Sequence, residues 1–157
     1  QLLFVNPKNV DALNYLGYTW TILGRKMDQA EEYLKTAMKL RPNNAFITDS
    51  WGWHLFVKGK FAAAIKTLEK AVALRGDEPT ILEHLGDAYA RSNLTEKAFS
   101  AYERAVAVSK EAKEKGKIAA KLENIRAVLV QNGRIKANRT ASSRTPASVS
   151  AEPTPTQ

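Results

Sequence analysis

Residues 49–74 read DSWGWHLFVKGKFAAAIKTLEKAVAL. Two segments with apolar side chains at helical spacing flank Lys58, Gly59 and Lys60. A glycine just past a helical segment is a common left-handed cap, at which the chain reverses its direction. The stretch therefore predicts a hairpin of two antiparallel α-helices.

The framework of this hairpin recurs on both sides of it. Gly17, Gly52 and Gly86 are spaced 35 and 34 residues apart. Two series of alanines also keep a spacing of 34 residues. The first series is Ala30, Ala64 and Ala98, and the second is Ala37, Ala71 and Ala105. Because Gly and Ala recur where two helix backbones approach closely, the period predicts stacked helical hairpins in an all-α solenoid.

A period of 34 residues with two helices per unit resembles the tetratricopeptide repeat, in its bacterial form. The residues that carry the resemblance are LGYTW at 16–20, WGWHL at 51–55 and LGDAY at 85–89, each followed by a second helix rich in small residues. The resemblance covers roughly residues 9–109 and implies a right-handed solenoid. Asn93 replaces the turn glycine of the third unit, and Asn also tolerates a left-handed turn.

The period and the changes in composition divide the chain into six parts. They are the end of a preceding repeat at 1–9, three repeats at 10–44, 45–78 and 79–109, a capping helix at 110–132 and an extended low-complexity tail at 133–157. The repeats predict helices at about 10–23, 28–40, 45–58, 61–74, 79–91 and 95–109. Asp28 with Glu31 predicts a capping box at the second helix.

The predicted capping helix differs from the repeats in its pattern. A narrow apolar stripe at helical spacing comprises Ile118, Leu122, Ile125 and Leu129, and the remaining face is charged. Gly116 is expected to mark the start of this helix, because glycine is unfavourable inside one. Basic charge is concentrated at this end of the chain, since residues 1–110 carry a net charge of +3 and residues 111–157 carry +5.

The sequence contains little that indicates catalysis. Its cysteine count is zero, which excludes disulfides and thiolate metal sites. Two histidines, His54 and His84, have no ligand or triad spacing around them, and no phosphate-binding glycine loop is present. We expect a non-enzymatic protein without catalytic residues, metal, cofactor or small-molecule substrate. The compartment stays open between the bacterial cytoplasm and the cell envelope.

The resemblance implies that the first helix of each hairpin lines a groove that binds a protein or peptide partner. The residues expected to point into it are Asn14, Tyr18, Thr21, Ile22, Phe46, Asp49, Trp53, Phe56, Val57, Glu83, Asp87 and Arg91. Trp53 and Phe56 are expected to be exposed and to anchor the ligand. Asp49, Glu83 and Asp87 are expected to make the wall acidic.

Two other expectations follow from the same resemblance. Trp20 and Trp51 are expected in the core, whereas Trp53 lies two residues from Trp51 on the same helix and must face elsewhere. Some members of the family bind the acidic C-termini of heat-shock chaperones through a clamp of lysines, asparagines and an arginine. The corresponding places here hold Asn14, Tyr18, Ser50, Thr80 and His84, which do not supply that charge. The expected ligand is instead extended and partly basic, with small or apolar side chains.

The tail is itself a candidate ligand for an acidic, aromatic-lined groove. Its arginines and prolines suit such a groove, in the same molecule or in a neighbouring copy, and they include Arg139, Arg144, Pro146, Pro153 and Pro155. An alternative of a different class is that the basic C-terminal helix and tail bind an anionic polymer such as nucleic acid, or a membrane surface. Groove binding should depend on Trp53, whereas phosphate binding should weaken steeply with salt.

Overall fold

The computed structural model describes residues 8–134, which form seven α-helices and no strand. The helices are α1 (Val10–Leu23), α2 (Met27–Leu40), α3 (Ala45–Val57), α4 (Phe61–Leu74), α5 (Pro79–Arg91), α6 (Thr95–Val108) and α7 (Ala112–Gln131). The six helices predicted for the repeats lie within one residue of these bounds. The predicted all-α solenoid of helical hairpins is confirmed. Most of the segments at 1–9 and 133–157 falls outside the described residues.

The repeated glycines lie where the two helices of each hairpin touch. A Cβ atom added to Gly52 would lie 2.7 Å from Cγ of Leu68, and one added to Gly17 would lie 2.6 Å from Cγ of Leu34. At Gly86 the corresponding contact is 2.5 Å from the ring of Tyr102. All six repeated alanines are fully buried. The small residues at the 34-residue period therefore allow the close approach of the helix backbones.

The turns within the hairpins use left-handed residues, as predicted. Gly59 has φ +75° and Asn93 has φ +59°. The prediction of a capping box at Asp28 is wrong, because α2 begins at Met27 and its N-cap residue, Lys26, makes no side-chain capping hydrogen bond. The first hairpin has one extra turn residue, and Lys26 takes a left-handed conformation there. Asp28 consequently lies in the first turn of α2, where its charge complements the helix dipole.

Helix α7 packs its apolar stripe against α6. Ile118 and Leu129 are almost completely buried, Leu122 is buried, and Ile125 is partly buried. Gly116 lies inside the helix and not at its start, which corrects the prediction. An added Cβ there would meet nothing within 4 Å, so the glycine costs only its conformational entropy, about 1 kcal/mol, which burial of the stripe outweighs. Within residues 8–134, no helix combines the length and the apolar character needed to cross a membrane.

Candidate functional site

Five rings form a continuous row, four of them on the first helices of the hairpins and one at the start of α4. The row comprises Tyr18, His84, Trp53, Phe56 and Phe61, and we call it the aromatic row. The ring of Trp53 stacks on His84, with centroids 4.2 Å apart, and on Phe56 at 4.6 Å. Tyr18 lies 6.2 Å from His84, and Phe61 meets Phe56 edge to face at 5.6 Å. The row thus connects α1, α3, α4 and α5.

The burial of the aromatic residues differs from the sequence-based expectation. Trp53 and Phe56 are half-buried rather than exposed, because each packs on the other and Trp53 also packs on His84. Trp20 and Trp51 are also half-buried and do not belong to the core. Trp51 does face away from the aromatic row, since its ring stacks on His54 at 5.5 Å.

Thr21 was expected in the groove but lies in the interface between α1 and α3. It is 1% exposed, its hydroxyl donates to the carbonyl of Gly17, and its Oγ1 lies 2.8 Å from Nδ1 of His54. His54 is fully buried, and burial lowers the pKa of its imidazole. These side chains therefore join the first two hairpins and are inaccessible to a ligand.

A buried polar pair lies beneath the aromatic row. Nδ1 of His84 lies 2.9 Å and 3.0 Å from the two carboxylate oxygens of Asp49, so the imidazole N–H donates to that carboxylate. Burial, together with the charges of Asp49 and Glu83, raises the pKa of the Tyr18 hydroxyl, which keeps it protonated at neutral pH. His84 was not among the predicted groove residues. Its position corresponds to a residue of the chaperone clamp, and that correspondence could have indicated that it faces the groove.

The expected acidic wall is largely neutralised by α7. Oε1 of Glu83 lies 3.1 Å from Nζ of Lys117 and 2.6 Å from Nζ of Lys121. Lys121 also contacts Asp87 at 2.7 Å, and the hydroxyl of Tyr102 donates to Asp87 at 2.6 Å. Burial alone would raise the pKa of Glu83, but the ammonium groups of Lys121 and Lys117 hold it below its ordinary value. The wall is therefore less acidic than the sequence-based expectation, because two of its three carboxylates are paired with lysines.

The two lysines lie one repeat period after the acids that they contact. Lys117 follows Glu83 by 34 residues, and Lys121 follows Asp87 by 34 residues. Thr80 and Glu114, also 34 residues apart, contact each other at 3.3 Å. Helix α7 thus occupies the place of a fourth first helix, next to α5. Sequence reasoning missed this because it treated the capping helix apart from the repeats, although the period continues through it.

A cavity of about 360 Å³ lies at one end of the aromatic row. Its lining includes Phe56, Asp87, Arg91 and Tyr102, so three of the predicted groove residues meet there. The guanidinium of Arg91 lies 5.2 Å above the ring of Phe61. The lining thus places aromatic rings beside charged groups, and polar groups of this kind fix the orientation of a bound side chain.

The remaining predicted groove residues do not line this cavity. Asn14 is half-buried, and its Oδ1 has no hydrogen-bond partner within residues 8–134. Ile22 and Val57 are 58% and 43% exposed at the ends of α1 and α3. Phe46 lies near the opposite end of α3, beneath the guanidinium of Arg75, and takes no part in the aromatic row. The described residues contain no cluster of three potential metal ligands.

Comparison with known sequences identifies the family. Residues 50–114 and residues 24–44 match family profiles described as Tetratricopeptide repeat, and together they cover more than half of the chain. A TPR repeat-containing protein of Pseudomonas aeruginosa is 37% identical over 81 residues, a match that spans 52% of this chain and 14% of that protein. The chain belongs to the tetratricopeptide repeat family, in its bacterial form.

Solved structures share the fold. PcrH in complex with the chaperone binding region of PopD is 19% identical with a TM-score of 0.69, covering 78% of this chain and 95% of that chain. The first TPR domain of Spaghetti (RPAP3), bound to the HSP90 peptide SRMEEVD, is 24% identical with a TM-score of 0.67. The match covers 77% of this chain and 93% of that chain. At these identities the likeness describes the architecture alone.

Proposed function

We propose that this chain is a non-enzymatic interaction scaffold that binds an extended peptide across the aromatic row. The observation that carries the proposal is the row itself, five neighbouring rings beside a cavity of about 360 Å³. Rigid aromatic side chains supply much contact area at a low cost in conformational entropy, which is why they dominate binding hot spots. Two structural relatives were solved with a bound peptide or partner segment, which supports the same class of activity.

The contacts within the site narrow the chemistry of the ligand. Because Glu83 and Asp87 are paired with lysines and Asp49 is buried against His84, little accessible negative charge remains for a basic ligand. Affinity should therefore come from apolar or aromatic ligand side chains, with backbone hydrogen bonds to groups such as the side-chain amide of Asn14. We propose a weakly charged, extended segment with at least one large apolar residue that enters the cavity at Phe56 and Arg91.

The alternative of phosphate or membrane binding through the C-terminal helix has less support. Lys117 and Lys121 are committed to Glu83 and Asp87, so they neutralise the protein's own acids. Counter-ion release, which drives such binding, needs cations that are free to meet phosphates.

Replacing Trp53 by alanine tests the aromatic row. Peptides are first selected on the wild-type protein from a random 12-residue display library, and their affinities are then measured by calorimetry. We expect Trp53→Ala to weaken them by about 30-fold or more, the loss typical of a hot-spot residue. The matched control is Trp51→Ala, a half-buried indole on the same helix that faces away from the row. Equal losses for both variants, or none for Trp53→Ala, would contradict the proposal.

The tail is a second proposed ligand for the same site, although its basic charge fits the lysine-paired groove less well than a weakly charged segment would. Arg139, Arg144, Pro146, Pro153 and Pro155 lie outside the described residues. The last described residue, Arg134, pairs instead with Glu96 at the start of α6, at 3.1 Å. Calorimetry of a synthetic peptide of residues 134–157 with a chain shortened to residues 1–133 should give a binding signal that Trp53→Ala weakens. The absence of heat at millimolar peptide would end the tail hypothesis without affecting the aromatic row.

A further inference from the structure

The turns within the hairpins are held in line along one edge of the solenoid. Lys58, at the second turn, forms an ion pair with Glu31 near the start of α2. Arg91, at the third turn, lies over Phe61, the first residue of α4. Arg134, after α7, pairs with Glu96 in the first turn of α6. Each turn thus contacts the start of the second helix of the preceding hairpin, and we call this aligned surface the turn edge.

The turn edge carries an excess of positive charge. Its basic residues are Arg25, Lys26, Lys58, Lys60, Arg91, Lys97 and Arg134, against the acidic residues Asp28, Glu31 and Glu96. Glu31 is already held by two lysines: the hydrogen bond from Lys35 and then that from Lys58 lower its pKa to about 2. Glu96 is paired with Arg134. Arg25 and Lys60 are exposed and form no ion pair within residues 8–134. Uncompensated cations therefore remain at the first two turns.

Apolar surface accompanies these cations. A cavity of about 500 Å³ is lined by Trp20, Leu23, Arg25 and Lys26, and Leu23 is 59% exposed. At the second turn, Val57 is 43% exposed just before Lys58 and Lys60. Exposed apolar side chains beside unpaired cations supply both kinds of contact that a protein interface uses, an apolar centre and a charged rim. The combination fits a ligand that has carboxylates and large apolar groups close together.

We propose that the turn edge is a second interaction surface, which binds an acidic peptide segment bearing large apolar side chains. The carboxylates of the segment face Arg25, Lys26 and Lys60, and an apolar side chain enters the cavity beside Trp20 and Leu23. A peptide fits better than a nucleic acid. The indole of Trp20 already contacts the ring of Tyr33 at 5.2 Å and the ammonium of Lys26 at 4.9 Å, and so it is not an open platform for a base.

The test uses the full chain and three fluorescent probes. The first is a 12-residue peptide in which Glu and Asp alternate with Leu and Phe, the second has the same acids with Ser in the apolar places, and the third is a 12-nucleotide oligo(dT). We expect the first probe to bind at least about tenfold more tightly than the other two. The double variant Arg25→Glu, Lys60→Glu should weaken its binding about tenfold or more, because it reverses both uncompensated charges. Leu23→Ser should weaken it as well.

Two control variants separate binding at the turn edge from a general effect of net charge and from binding at the aromatic row. Lys39→Glu with Lys66→Glu makes the same change in net charge on α2 and α4, at exposed lysines away from the turn edge, and should leave binding within about twofold. Trp53→Ala should leave the acidic probe unaffected, so the two surfaces are tested independently. Equal effects of the two charge reversals would overturn the proposal. The proposal would also be overturned if Trp53→Ala weakened the binding of the first probe, or if oligo(dT) bound as tightly as that peptide.

Discussion

The Gly52→Leu variant is expected to unfold with a free energy about 3 kcal/mol lower than that of the wild type. The first atom of the new side chain would lie 2.7 Å from Cγ and 2.8 Å from Cδ2 of Leu68, which is itself fully buried. The remaining three carbons have no room between α3 and α4, so the central hairpin must open. Because each hairpin is stabilised by its neighbours, the loss should extend to all three.

Urea unfolding followed by circular dichroism measures this loss. Gly116→Ala provides the opposite control, since a Cβ there meets no atom within 4 Å and alanine favours a helix interior. That variant should be more stable by about 0.5–1 kcal/mol. If Gly52→Leu unfolded at the same urea concentration as the wild type, the close approach of α3 and α4 would be refuted.

The Lys121→Ala variant is expected to lose about 2 kcal/mol of unfolding free energy at neutral pH. Lys121 joins Glu83, whose side chain is 6% exposed, to Asp87, whose side chain is 18% exposed. Burial alone would lower the pKa of Lys121, but hydrogen bonds to the two acids raise it, so the ammonium stays charged. Removing it leaves a buried carboxylate with only the exposed Lys117 beside it.

This loss should depend on pH in a definite direction. The folded pKa of Glu83 lies below its ordinary value of 4.5, so the stabilisation by Lys121 is fully present above that value. It disappears as the pH falls through the lowered pKa. The difference in stability between wild type and Lys121→Ala should therefore shrink below pH 4.5. Lys117→Ala is the matched control: its side chain is 67% exposed, and its removal should cost less than about 0.5 kcal/mol. A Lys121→Ala loss that stayed constant from about pH 7 to about pH 3.5 would contradict this role of Glu83.

The helices and their stacking were predictable because one local rule repeats. The glycine and alanine positions require only that two helices approach closely, and each hairpin meets the same requirement, so the period alone locates six helices to within one residue. The errors at Asp28 and Gly116 occurred where a local preference was weaker than the packing around it. In α7 the buried apolar stripe outweighs the preference of Gly116 against a helix interior. In α2 the extra turn residue makes Met27 the first helical residue, so Asp28 is not the N-cap.

The groove was predicted less completely, because its chemistry depends on neighbours across the repeats. The resemblance pointed to Tyr18, Trp53 and Phe56, and the structure brings these three rings together. It did not indicate that His84 joins them, nor that Thr21 turns inward to His54. A side chain at the boundary between two helix faces is directed by the helix that packs beside it, which the sequence of one helix does not specify.

By itself, the sequence determined the architecture, the number of hairpins and the close contacts at Gly17, Gly52 and Gly86, because a regular spacing in sequence becomes a regular spacing in a solenoid. Only the tertiary structure decided which charges are free. Glu83 and Asp87 meet Lys117 and Lys121 because equivalent positions of adjacent first helices lie side by side, and that contact changes an acidic wall into a nearly neutral one. The same stacking leaves Arg25 and Lys60 without ion-pair partners in the described chain, since it brings no carboxylate of residues 8–134 within ion-pair distance of either.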